Sequence, residues 1–142
     1  VKLLVTLKLL ELQMIYKNII WTLTILLFSS CYKKRDASNL REMLNSNDIE
    51  KIIEASNYIG KNKDTNMVAD LLKNSLDPRI SHDIRYYGIS VFKAKMSVMK
   101  DLTLMNSPKQ ISYKPDSLIF EFYYNVSKKR GWIKNNECIS LN

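Results

Sequence analysis

Apolar residues return at helical intervals through most of this chain, and the breaks between the runs fall at capping and turn residues. Leu40, Met43 and Leu44 mark a first short helix. Asn47, with Glu50 three residues on, has the spacing of a capping box, so a second helix is expected to open there. Its inner side would carry Ile49, Ile52, Ile53, Ser56 and Ile59, its outer side Glu50, Lys51 and Glu54, and Gly60 would terminate it. Thr65 is expected to start a third run, Val68, Leu71, Leu72 and Leu76, which Asp77 and Pro78 break. Ser81 then caps a helix with Ile84, Tyr87, Gly88, Val91 and Phe92 along one side, and Met96, Val98, Met99 and Leu102 suggest another. In the last helix Pro115 takes the first turn and Asp116 complements the dipole, while Leu118, Ile119, Phe122, Tyr123 and Val126 form the apolar side. Lys128, Lys129 and Arg130 sit at its end, Gly131 stops it, and Trp132 with Phe122 is expected to pin it to the rest. The pattern predicts an all-α domain over residues 38–132, with residues 133–142 as a tail.

The amino end is patterned differently. Residues 19–28 are almost wholly apolar, preceded by Lys17 and followed by Ser29, Ser30 and Cys31, the three-part layout of an export signal. The run is short of the roughly 20 apolar residues a spanning helix needs. Lys8, Glu11, Gln13 and Lys17 interrupt any extension backwards. Residues 1–30 therefore read as a signal segment and 31–37 as a tether. Met14 makes a better start for such a signal than Val1, so residues 1–13 read as an upstream over-extension. An uncleaved membrane anchor and a buried amphipathic helix are the alternatives, and both leave Cys31 unexplained.

Phe28, Ser29, Ser30 and Cys31 resemble a bacterial lipobox, with Phe28 where a leucine is usual. The resemblance implies lipid attachment at the Cys31 thiol and cleavage just before it. It places the chain in the cell envelope, held on the membrane through Cys31 and facing the periplasm or exterior. Residues 47–103 resemble HEAT-like helical repeats: Leu71, Leu72 and Leu76, then Asp77 and Pro78, then Ile84 and Arg85, follow the order of leucines, turn aspartate and arginine. That resemblance implies a short α-solenoid fragment of helical hairpins, with a general α bundle as the alternative, and structural roles for Asp77 and Arg85 in tying neighbouring turns. Two hairpins need cover at both ends to close a core. Lys114, Pro115, Asp116, the Phe122, Tyr123, Tyr124 stretch and the closing Gly131, Trp132 are similar to an ending found in some bacterial HEAT-like proteins, which carries no known activity.

Composition narrows the partners. The 142 residues carry 22 Lys and Arg against 14 Asp and Glu, a net charge of +8; from Cys31 onward the balance is 19 to 13, or +6. Such a charge favours anionic surfaces. Only five of the cations are Arg, and they are scattered among abundant Lys, Asn and Ile, a mixture that fits an AT-rich genome better than a nucleic-acid reader. No nucleic-acid partner is expected. Lys33, Lys34 and Arg35 follow the anchor, where they either lie against lipid head groups or form a solvated tether. There are two cysteines, Cys31 and Cys138, so with Cys31 lipidated no internal disulfide can form.

Chemistry is sparse. His82 is the single histidine, which rules out a multi-histidine metal site. Ser81, His82 and Asp83 are consecutive and would point about 100° apart on a helix, so they cannot converge as a triad. Glu50 and Glu54 are expected on a charged face. No catalytic, cofactor or metal site is expected, and lipid attachment at Cys31 is the one assigned site. The expectation is a noncatalytic, membrane-anchored interaction module whose repeat face docks an envelope protein or peptide, with Tyr58, Tyr86 and Tyr87 as candidate anchors or as core residues. The alternatives are a protective or inhibitory lipoprotein acting against a toxin or hydrolase, and an envelope enzyme built around His82.

Overall fold

The computed structural model describes residues 16–17 and 36–134. The signal run, the lipobox with Cys31, the basic residues 33–35 and Cys138 lie outside the described residues. The chain divides after Lys34 into two units. Of the first, Tyr16 and Lys17 are described, both helical and exposed. All elements below belong to the second.

Among its described residues there are five α-helices: α1 (Ala37–Leu44), α2 (Ile49–Asn62), α3 (Val68–Leu72), α4 (Val91–Thr103) and α5 (Ser117–Lys129), with a 3-10 turn at Thr65–Met67 leading into α3. Among the described residues there is no strand, only an isolated antiparallel bridge between Ile80 and Ser90. The domain is all-α, as the periodicity predicts. None of the described helices is long and apolar enough to cross a membrane.

The central element is α4, which packs against α2, α3 and α5. Nine of its 13 residues are buried, among them Phe92, Met96 and Met99 at 0% exposure. Deleting such side chains costs about 2–5 kcal/mol each. The helix α2 lays Ile52, Ile53, Ala55, Ser56 and Ile59 inward, and the Ser56 hydroxyl is satisfied by the Ile52 carbonyl one turn back at 2.7 Å. Leu40 and Leu44, one turn apart on α1, complete that side, and Arg41 of α1 pairs with Asp70 of α3 at 2.9 Å.

Several expectations need correction. The cap of α2 is Asp48, which accepts from the Lys51 amide at 3.2 Å, and not Asn47. Gly60 does not end α2. The helix runs on to Asn62 and turns off at Lys63 in the left-handed conformation, φ 53°. Gly60 sits where α2 meets α4: a Cβ there would lie 3.1 and 3.2 Å from the two methyls of Val98, so the missing side chain is what lets the helices approach. The third helix is short, ending at Leu72, and Leu76 lies half-buried in the turn beyond. Residues 81–90 are not helical. The helix expected from Ser81 and the one after it reduce to α4 alone, capped by Ser90, whose hydroxyl accepts from the Lys93 amide at 3.1 Å.

On α5 the cap is Asp116, accepting from the Leu118 and Ile119 amides at 2.9 and 3.4 Å; Pro115 stands before it instead of within the first turn. The buried side is Ile119, Phe120, Tyr123 and Ser127, with Phe122 and Val126 partly covered and Leu118 50% exposed. The stripe is thus rotated from the expected one. Gly131, at φ 72°, terminates the helix as expected, and Trp132 is half-buried against the core under the Arg130 guanidinium, 5.0 Å from its ring centre.

Candidate functional site

The segment between α3 and α4 is where the structure departs most from the periodicity, and it carries the most exposed apolar side chains near the predicted anchors. Two short Asp-x-Arg units frame it. In the first, Asp77 accepts the Arg79 amide at 2.9 Å and the Arg79 guanidinium in a fork at 2.6 to 3.0 Å. In the second, Asp83 accepts the Arg85 amide at 2.9 Å and the guanidinium at 2.9 and 3.3 Å. An aspartate that bonds the backbone two residues on makes an Asx turn, and the arginine fork fixes its side chain as well. Bonds from Arg85 hold the Asp83 carboxyl below its ordinary pKa; at Asp77 burial pushes upward, but Arg79's bonds and charge win and the carboxyl is again lowered.

The base of the loop is closed by backbone. Val91 N–H donates to the Arg79 carbonyl and Ser81 N–H to the Ile89 carbonyl, both at 3.0 Å, and Phe92 N–H reaches the Asp77 carbonyl at 3.0 Å. Inside it, Gly88 N–H donates to Ser81 O, Tyr86 N–H to Asp83 O and Ile89 N–H to Tyr86 O. Gly88 has φ 75°, a conformation that favours glycine. The buried Ser81 hydroxyl donates to Glu50 on α2 at 2.7 Å and accepts from the Asp83 amide at 3.1 Å. The loop is therefore a hydrogen-bonded frame tied to α2, and from it Ile84 projects at 93% exposure and Tyr87 at 76%.

The geometry sorts the candidate residues. Tyr87 is the one proposed anchor that is strongly exposed; Tyr58 and Tyr86 are half-buried, Tyr58 against the core and Tyr86 with Arg85 5.4 Å from its ring centre. Ile84, expected on a buried stripe, is instead at the loop surface. Asp77 and Arg85 do not tie neighbouring turns together, because each is engaged within its own Asp-x-Arg unit. Glu50 is not on a free charged face, since it receives Ser81. Ser81 is turned to Glu50, Asp83 is held by Arg85, and His82 is exposed, so the three do not converge on one reaction centre. Among the described residues no group of three or more His, Cys, Asp or Glu could hold a metal ion.

A second exposed apolar feature lies at the other end of α4. Leu104 is 85% exposed and left-handed at φ 55°, and next to it Met105, Phe122 and Val126 line a groove of about 340 Å³ edged by Lys129 and Arg130. Two open concavities lie elsewhere, one of about 600 Å³ between α1 and α2 with Glu42, Ser46, Lys51 and Glu54 on its walls, the other of about 400 Å³ lined by Ser97, Lys100 and residues 106–111.

The fold and these surfaces define a small all-α domain with a braced loop that exposes Ile84 and Tyr87. No family model, curated protein or solved structure matches the chain.

Proposed function

We propose that this chain is a lipid-anchored docking module of the cell envelope. It is tethered outside the cytoplasm through Cys31, performs no catalysis, and presents Ile84 and Tyr87 to a protein or peptide partner with an apolar socket. The observation that carries the reading is the exposure of these two large apolar side chains from a loop whose backbone and charged residues are already engaged. Burying them against a partner would be favourable, and a braced loop loses little further entropy on docking. The Phe28 to Cys31 sequence supports the tether; for a HEAT-like repeat the support is the order of leucines, Asp77–Pro78 and Ile84–Arg85 in the sequence, with Ile84 and Arg85 lying in a loop instead of opening a helix. The same exposed pair on a preorganised loop would also serve the inhibitory variant of this reading, in which the loop enters a cleft of a toxin or hydrolase.

Two measurements test it. The double variant Ile84→Ser with Tyr87→Ser should unfold in urea within about 0.5 kcal/mol of the parent, as surface substitutions do; a loss of several kcal/mol would make the pair structural and remove the docking role. Expression in a bacterial host with a palmitate analogue should label the parent and not Cys31→Ala, with a mature mass that starts at Cys31. An unlabelled, uncleaved product refutes the tether.

A further inference from the structure

Lys95 lies on the apolar side of α4, one turn after Val91, and is 1% exposed. Its ammonium has three protons to donate and makes one hydrogen bond, to the Lys73 carbonyl at 2.7 Å. No carboxylate lies within ion-pair distance of it among the described residues. The nearest charges are Asp77 and Arg79, and these are spent on each other: Asp77 takes the forked guanidinium of Arg79, whose remaining bond goes to the Asn47 carbonyl at 2.9 Å. With Asp77 engaged by Arg79, Lys95 has no ion-pair partner of its own, though Asp77 still acts on it more strongly than Arg79 does. A buried charge without a counter-ion is among the costliest arrangements in a protein interior. Burial accordingly presses the amine's pKa down to about 8, with Asp77 opposing and Arg79 assisting.

Lys95 also lines a cavity of about 100 Å³, shared with Asp77, Arg79, Asn47, Asn74 and Ser46 among others. Asn47 and Asn74, both exposed and both on its wall, make no side-chain hydrogen bond within the described residues, and Asn74 is left-handed at φ 50°. The space admits several waters or one small polyatomic ion. A surplus positive charge, unused ammonium protons and free amide donors are the complement of an oxyanion. We propose that the Lys95 cavity binds a small oxyanion, a carboxylate or phosphate group, whose negative charge completes the buried ammonium.

The site stands apart from the loop tip, and its test is independent of the tether. The full-length chain is titrated with acetate and with inorganic phosphate at constant ionic strength, using chloride as the control salt, while thermal unfolding and the ¹⁵N resonance of the Lys95 ammonium are followed. One of the two anions should raise Tm by a few degrees at ten times its Kd and shift the Lys95 resonance along a saturating curve, and which anion does so identifies the chemistry bound. Lys95→Met should abolish the Tm response. Equal responses in Lys95→Met and the parent, or a Lys95 resonance unmoved by both anions, would overturn the site. The resonance measurement keeps the test decisive should Lys95→Met fail to fold.

Discussion

Lys95 shows what a single residue can disclose. Periodicity places it with Val91, Phe92, Met96 and Met99, and a lysine inside such a stripe is the available sign of a buried amine, although residue spacing alone reads as well with the side chain reaching solvent. Its folded pKa of about 8, against the usual 10.5, has a thermodynamic consequence. Between those values the unfolded chain holds a proton that the folded one has released, so stability is lowest below pH 8 and rises as pH climbs toward 10.5, by on the order of 3 kcal/mol. Lys95→Met removes this titration. In a buffer free of phosphate and carboxylates, urea midpoints from pH 7 to 10 should show the variant more stable than the parent at pH 7, with the gap closing as pH rises. A gap independent of pH would mean that the amine is not buried as a charge.

Helix caps and turns decide what was legible among the elements. The stripes of α1, α2 and the main part of α4 follow from apolar spacing because those helices bury one broad face. The loop 81–90 was not legible, since Ser81, Ile84, Tyr87, Val91 and Phe92 imitate a helical side while Asp77, Arg79, Asp83 and Arg85 commit the backbone to Asx turns. The repeated Asp-x-Arg was the signal to read. Position α2's cap moved by one residue because Asn47 and Asp48 are equally good caps and only Asp48 reaches the Lys51 amide. In α5, Phe120, Phe122, Tyr123 and Tyr124 surround the helix, so no single stripe stands out, and packing chooses Phe120 over Leu118. At the end of α4, Leu104 holds a left-handed backbone that L residues with side chains adopt at a cost, and its side chain contributes almost no burial. Leu104→Gly should therefore stabilise the fold by about 1 kcal/mol, read as a higher urea midpoint at unchanged slope. A loss of stability would show that Leu104 packs against something in solution.

For the whole molecule, the division of labour is between an all-α core and surfaces that the core does not need. The core buries a continuous set from Leu40 to Ile133 around α4, whereas Ile84 and Tyr87 stand outside it on a loop held by α2 and by its own arginine forks. The helical class and the place of the terminal helix were readable beforehand. The exposed loop was readable only in part: Tyr87 was among the expected anchors, but it and Ile84 were expected along a helix and stand on a loop instead. The most direct measurement places a photo-cross-linking residue at position 84 of the full-length chain in its host, with Asn57, exposed on α2, as the control position. Docking through the loop predicts one discrete adduct from position 84, absent from position 57 and lost when Tyr87→Ser is added. The same adducts from both positions, or none from position 84, would contradict it.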